Sequence, residues 1–384
     1  MKILIVHNSY GKYSGEEAVV DKMADMLMSH GHEVAFYRRT TEGVRESAVG
    51  KIKGFLSGIY SPFGVRGMRD ALRRERPDIV NVHNLYPFIS PAALFECKKA
   101  GVPIVMTIHN FRLICPTGLF MRDGLPCEVC LERGNEWSCV RYNCECSRLK
   151  SIGYTIRNVC ARWIGAYRKN VAAFACITDF QRQKLIAAGY DSEKIVVIPN
   201  FLPMPKLYEN EVGKYVAFCG RISREKGVDL ILEVARRNPY ILFKLAGEVR
   251  DKGLVEDLPS NCELVGYLSG ESLSRFYRES AFFVMASKWY EGFPMAILEA
   301  ACYGKPTIGP AHGGFTEIIG RGEQTIGDLF EPNNLDDLER KVVSLWNRPD
   351  EIARLGEKAF EKLKREYSSE VIYQKWDNLF QKLI

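Results

Sequence analysis

Short apolar runs alternate with longer amphipathic stretches along almost the whole chain. KILIVHN, HEVAFYR, DIVNVHN, PIVMTIHN, FACITD and IVVIPN are apolar at consecutive positions. Runs of this length, apolar on both faces, predict strands of a parallel sheet covered on two sides. Between them lie stretches such as EEAVVDKMADMLMSHG, whose apolar positions recur near a period of 3.6 and stop at a glycine. That spacing predicts helices. The alternation restarts after Pro203 and Pro205, with YVAFCGRI, FKLAGEV, CELVGYL, AFFVMAS and PTIGPAH as further strands. The expected fold class is α/β: two Rossmann-like, doubly wound parallel-sheet domains facing a central cleft. The expected domains are 1–202, 203–364, and a final helix, 365–384, crossing back to the first domain. Residues 203–213 are the expected linker.

Length and charge refine this picture. A chain of 384 residues fits two domains. No apolar run reaches the roughly 18–20 residues that span a bilayer. MKILIVHNSYG reads as a first buried strand rather than a signal peptide, so a cytoplasmic location is expected. The formal net charge of +6 is unevenly spread. Residues 1–200 carry 28 Lys and Arg against 19 Asp and Glu; residues 201–384 carry 25 against 28. A basic first half is either a solvated face or an attraction for anionic partners, such as a membrane surface or a phosphate-bearing substrate. No RNP motif, finger spacing or long Lys/Arg tract occurs, so nucleic acid is not an expected partner.

In open parallel sheets ligands bind at the carboxyl ends of the strands, and the polar motifs fall there. Glu291-Gly292-Phe293-Pro294 precedes the apolar stretch MAILEAACYG, and Glu299 follows eight residues after Glu291. Free N–H groups at the start of that helix would face the strand ends. Glu291 can accept from sugar hydroxyls, and Glu299, about two turns in, can hold a ribose diol; a capped core helix with incidental acids is the alternative. Gly220-Arg221 and Lys226-Gly227 follow the strand YVAFC and form an anion cradle, or else a basic surface loop. Tyr10 to Glu17 is not a GxGxxG fingerprint, yet Gly15 at the helix entrance would let a diphosphate approach the backbone. His83 and His109 each end a strand, in NVHN and TIHN. His7 and His312, the latter in His312-Gly313-Gly314, are weaker candidates.

With these residues the chain resembles the GT-B glycosyltransferases of family 4, a retaining group common in bacterial polysaccharide synthesis. The resemblance covers nearly the whole chain and also includes GKPTIGPAHGGFTEII and GDLFEPNNLDDLERKV. It implies a nucleotide-sugar donor, a UDP-sugar before a GDP-sugar, and a glycan or lipid-diphosphate-linked acceptor. By the resemblance Arg221 and Lys226 hold the donor diphosphate, Glu291 the sugar hydroxyls and Glu299 the ribose. The backbone of Gly292, Phe293 and Pro294 meets sugar and phosphates. Gly266, Tyr267 and Leu268 lie along the base, Gly15 admits the diphosphate, and His109 sits beside the anomeric carbon. The family acts with retention and without a bound metal. Independently, no Asp-x-Asp tripeptide occurs in the chain, and a metal-dependent transferase would need closely spaced carboxylates. No cofactor is expected for catalysis.

The cysteine-rich insert 115–146 departs from the minimal family pattern. Cys115, Cys127, Cys130 and Cys144 are an expected structural zinc set, with unligated thiols or a cluster as alternatives. Stretches 51–74 and 147–170 mix Lys and Arg with aromatic and aliphatic residues. They read either as ordinary amphipathic helices or as a peripheral contact with the inner face of a membrane. A sugar-nucleotide epimerase or hydrolase would share the cradle but need an acid/base pair. A non-catalytic zinc-dependent binding or scaffold protein would need only the insert.

Overall fold

The computed structural model describes residues 1–9, 15–42, 48–205 and 211–384. Residues 10–14 of the first strand-to-helix turn and 206–210 of the expected linker lie outside them. The first sheet begins with β1 (Lys2–Ser9), β2 (Glu33–Thr40), β3 (Ile79–Asn84) and β4 (Ile104–Ile108). A short antiparallel hairpin, β5 (Met121–Arg122) and β6 (Leu125–Pro126), follows within the insert. β7 (Ala173–Cys176) and β8 (Ile195–Val197) complete the sheet, ordered β2-β1-β3-β4-β7-β8 and parallel throughout. The second sheet holds β9 (Tyr215–Cys219), β10 (Phe243–Ala246), β11 (Cys262–Gly266), β12 (Ser280–Val284), β13 (Thr307–Pro310) and β14 (Gly327–Phe330). Its order is β11-β10-β9-β12-β13-β14, again parallel.

These are the two Rossmann-like sheets that the apolar runs predict. Alternate residues of β9 show why its run is apolar throughout. Val216 and Phe218 enter the core that includes Ile231, Leu338 and Val342, and Tyr215 and Ala217 enter another with Phe276, Tyr277 and Ala300. Successive side chains point to opposite faces, and helices cover both. The run HEVAFYR differs. It forms β2, an edge strand with no fully buried residue, because only one neighbour covers it.

By contact the chain divides into two compact units. The first comprises Met1–Phe120, Glu128–Pro199 and Tyr373–Ile384; the second comprises Met121–Cys127 and Asn200–Ile372. Within the first, Tyr373 of the final helix (Ser369–Leu383) stacks on His30 with ring centroids 3.6 Å apart. Strand order reverses between β1 and β3 in one sheet and between β9 and β12 in the other. At such points the loops splay apart and leave a crevice at the carboxyl ends.

Candidate active site

In the second unit the chain leaves β9 and turns through Gly220 into a loop that ends in the short turn Arg224–Lys226. Gly227 closes the turn with φ 69°, and a Cβ there would drive into the Ala286 carbonyl oxygen. Glycine alone lets the loop lie this close to the residues after β12. That approach sets Lys226 against Glu291, whose Oε1 accepts from Nζ at 2.5 Å. Ser287 Oγ donates to the same oxygen at 2.5 Å. Both ionic side chains are nearly covered, 14% and 11% exposed. Burial by itself pushes the Glu291 carboxyl up. Lys226, Ser287 and Arg221 outweigh it and hold the group below the ordinary carboxylate value. Glu291 is therefore an anion with a cation in contact. Arg221 is half exposed, its guanidinium 3.9 Å from Glu225. The sequence assigns Lys226 to a ligand anion and Glu291 to sugar hydroxyls, and the structure pairs them with each other.

The helix after this loop starts only at Met295, with Pro294 as its N-cap and no side chain capping it. Glu291 thus belongs to the loop, and Glu299 lies about one turn into the helix rather than two. The eight-residue spacing is spanned partly by extended chain. Gly292 presses on the loop His312–Gly314: a Cβ on Gly314 would lie 2.6 Å from the Gly292 carbonyl oxygen, and Gly314 N donates to the Glu291 carbonyl at 2.9 Å. Phe293 is buried, its ring centroid 5.8 Å from that of Tyr367. Tyr277 OH donates to Glu299 Oε2 at 2.7 Å. Burial, then the Glu299 charge, pushes the Tyr277 phenol well above its usual range, so it remains a donor. Gly266 ends β11 at φ 74°, its carbonyl accepting from Gly247 N at 2.8 Å. Tyr267 follows, 80% exposed, and Leu268 packs at the margin of the core.

Two groups beside the Lys226–Glu291 pair drew little or no attention in the sequence. Trp289 has its ring centroid 5.5 Å from Lys226 Nζ, and its buried indole N–H has no partner among the described residues. His312 Nε2 lies 2.9 Å from the Ser287 carbonyl oxygen and must donate to it, which leaves Nδ1 as a buried acceptor with no partner among the described residues. Burial keeps His312 below its ordinary value and hence neutral. Buried polar groups are nearly always satisfied, so this donor and this acceptor beside the charged pair can each take a polar group from outside the chain.

In the first unit, His7 at the end of β1 meets Glu16 in the first turn of the helix Gly15–Ser29, Nε2 to Oε1 at 3.1 Å. Burial raises the Glu16 carboxyl, but the His7 hydrogen bond and the charges of His109, His7 and Arg112 bring it below its ordinary value. A Cβ on Gly15 would meet no described residue within 4 Å. His83 Nδ1 lies 2.8 Å from His109 Nε2, the rings 5.1 Å apart and inclined at 21°. Burial pushes both imidazoles below their ordinary value, His83 further, so each is neutral at pH 7. One must then donate to the other. Among the described residues His83 Nε2 is buried without a partner. A proton there would be an orphaned N–H, the rarer and costlier defect. The proton therefore lies on Nδ1 of His83 and is donated to His109, whose own proton is left on Nδ1. The histidine that ends β3 fixes the tautomer of the one that follows β4.

Of the four cysteines expected to hold zinc, Cys115, Cys130 and Cys144 all act on the thiol of Cys139, Cys144 by a hydrogen bond and Cys115 and Cys130 through their charges. Among the described residues no three His, Cys, Asp or Glu side chains converge as a metal ion would require. Cys127 belongs to the second compact unit, whereas Cys115, Cys130 and Cys144 belong to the first. Cys115 is buried and lies 3.2 Å from Thr117 Oγ1. Cys139 engages Cys144, whose amide also donates to the Cys139 carbonyl at 3.1 Å.

Known proteins resemble both halves. The family model described as Glycosyltransferase Family 4 matches residues 13–204, half of the chain, and that described as Glycosyl transferases group 1 matches residues 204–362. An uncharacterized 42.6 kDa protein of the cps region of Klebsiella pneumoniae is 26% identical, covering 90% of this chain and 96% of its own. A GDP-mannose-dependent alpha-mannosyltransferase of Corynebacterium glutamicum is 30% identical, covering 84% of this chain and 75% of its own. Among solved structures, HepE of Anabaena in complex with UDP and glucose has a TM-score of 0.69 at 15% identity, covering 100% of both chains, a likeness of fold.

Proposed function

This chain belongs to glycosyltransferase family 4 and has the GT-B fold, and from that premise we propose that it moves a sugar, with retention, from a nucleotide-sugar to a hydroxyl of a glycan or lipid-diphosphate-linked acceptor. The observation that carries this is the covered Lys226–Glu291–Ser287 junction at the reversal point of the second sheet. An ammonium held against a carboxylate, with an unfilled donor and acceptor alongside, suits a ligand that is anionic at one end and rich in hydroxyls at the other. Arg221 and Lys226 stabilise the leaving diphosphate, with the uncapped helix start at Met295 adding its N–H groups. Glu291 and the backbone of Gly292, Phe293 and Pro294 hold the sugar, Glu299 the ribose, and Gly266 to Leu268 the base. Gly15 leaves room for the diphosphate, and His109 donates from Nδ1 beside the anomeric carbon.

The chemistry is a front-face exchange that needs no bound metal. The bond from the anomeric carbon to the diphosphate oxygen breaks, and the acceptor oxygen bonds to the same face. The acceptor proton passes to the departing phosphate oxygen. No protein carboxylate becomes covalently attached; alignment and charge do the work. The site of action is the cytoplasm and the inner face of the membrane, in surface polysaccharide synthesis. A UDP-sugar is the expected donor. The Corynebacterium relative, named for GDP-mannose, makes a GDP-sugar the competing outcome.

A thermal-shift panel of UDP-, GDP-, ADP- and CMP-sugars, with EDTA and Mg²⁺ controls, tests this. A ligand selective for the folded state raises the midpoint by about 2.7 kcal/mol of stability at a hundred times its Kd. The expected result is a rise with one nucleotide-sugar, unchanged by EDTA and lost in Arg221→Ala and Glu299→Ala. A response to none of them in folded protein would move the weight to a non-catalytic binding role. Conversion of the donor to an epimer without acceptor would make the chain an epimerase.

A further inference from the structure

Two helices of the first unit, Ala48–Ile59 and Arg148–Trp163, pack together and leave a row of large apolar side chains in solvent. The Phe55 ring fills the place a Cβ on Gly153 would take. Around that contact Leu56 is 57% exposed, Tyr60 55% and Phe63 67%. Leu56 and Tyr60 lie four residues apart and Tyr60 N bonds the Leu56 carbonyl at 3.0 Å, so they share a stripe; Phe63 belongs to the next helix, Pro62–Glu75, begun after the extended Ser61. On the partner helix Leu149, Gly153, Ile156, Cys160 and Trp163 fall on another stripe by the same rule. Phe55 covers its middle, and its ends, Leu149 and Trp163, are 82% and 85% exposed.

The charges lean one way: residues 48–70 and 147–170 hold ten Lys and Arg against one acid, Asp70, which lies 3.8 Å from Arg66, while Glu145 just before the second stretch feels the charge of Lys150. Some are already engaged: Arg69 with Glu96, Arg162 with Glu136, and Arg157 buried among Tyr86 and Tyr154. Arg148 and Lys150 remain exposed on either side of Leu149. They stand in the first turn of their helix, where the backbone dipole disfavours cations and where no acid occurs. Helix stability does not account for that arrangement. Among the described residues no helix is long and apolar enough to cross a membrane.

We propose that this face, Leu56, Tyr60, Phe63, Leu149 and Trp163 with Arg148 and Lys150, docks the protein on a bilayer rich in anionic lipid. Apolar tips enter the acyl boundary while the cations meet lipid phosphates. A second copy of the chain is a poor occupant, because a two-fold pairing of this face would set its cations against each other. The proposal deepens the membrane-linked part of the function above and rests on that reading for its purpose only; the contact itself needs neither donor nor acceptor.

Vesicle co-sedimentation of the full chain, without sugar substrates, decides it. Wild type is expected to pellet with equal-part phosphatidylglycerol–phosphatidylcholine vesicles, and at least about tenfold less with phosphatidylcholine alone or in high salt. The triple variant Leu56→Ser, Tyr60→Ser, Phe63→Ser, and separately Arg148→Glu with Lys150→Glu, should each lower the bound fraction about tenfold, with unfolding midpoint and nucleotide-sugar shift unchanged. Equal binding by the variants, or by neutral vesicles, overturns the proposal. So does a wild-type dimer in solution that the triple variant converts to monomer without any vesicle binding. A vesicle failure with an intact nucleotide-sugar shift sinks the docking surface alone; loss of that shift in wild type sinks the transferase reading instead.

Discussion

The sequence proposed Glu299 as a ligand group from its place in a motif, but it did not show the residue that holds it. Tyr277 lies 22 positions away, on a helix whose amphipathic pattern marks it only as core. Its hydroxyl aims one carboxylate oxygen and leaves the other for a ligand. Tyr277→Phe should raise the donor KM about fivefold to tenfold with kcat unchanged, the signature of about 1 kcal/mol lost equally in ground and transition states. Steady-state kinetics with varied donor will show it; a fall in kcat at constant KM would rule it out. His83 acts on His109 in the same indirect way. His83→Leu removes the donor to Nε2 and should lower kcat between about tenfold and a hundredfold. His83→Asn can donate from nearly the same point and should recover most of it. ¹⁵N chemical shifts give the decisive readout, because the Nδ1–H form of His109 must be lost in the leucine variant and kept in the asparagine one. The pair also sets an acid limit. Burial lowers both imidazoles, so below the ordinary value of about 6.5 the unfolded chain binds more protons than the folded one. Stability from the pair is complete above that pH and is lost as the pH falls through the depressed values. The thermal midpoint of His83→Asn should fall less steeply on acidification than that of wild type.

At the scale of elements, the strand–turn–helix units place chemistry by close approach. The Lys226 loop can reach Glu291 only because Gly227 takes a left-handed conformation with no side chain toward Ala286. Gly227→Ala must move the loop or the strand end, and should destabilise the fold by more than about 2 kcal/mol while abolishing the nucleotide-sugar shift. Urea unfolding measures the first effect. A variant as stable as wild type would mean the loop is not held as tightly as described. The Gly–Arg and Lys–Gly pattern around residues 220–227 suggested an anion cradle, since glycine and cations at a strand end suit one. The Lys226–Glu291 pairing was not announced, because the two residues lie 65 positions apart in different motifs. Where the sequence assumed that Glu291 and Glu299 were two helical turns apart, the helix began late, at Met295. Pro294 could occupy either the cap or the first turn, and its identity alone did not choose. The cysteine spacing named Cys115, Cys127, Cys130 and Cys144, but that Cys139 sits among three of them is a matter of packing.

Over the whole molecule, the two sheets were readable in order because burial on both faces writes itself into consecutive apolar residues, a local property of the chain. The same periodicity overstated β2, whose edge position depends on which neighbours the other strands choose. The excess of cations in the first 200 residues, and their mixing with apolar residues in 51–74 and 147–170, was visible in the sequence; that Leu149, Trp163 and Phe63 stay exposed was not. Sequence by itself determined the class of fold, the two-part organisation, the family and the residues that end each strand, since all of these rest on patterns within a few positions. Tertiary structure alone decided which charges meet, which polar atoms are left unsatisfied, which histidine donates to which, and which apolar side chains stay in water. Those outcomes depend on distances between groups far apart in the chain, and packing, not spacing, sets such distances.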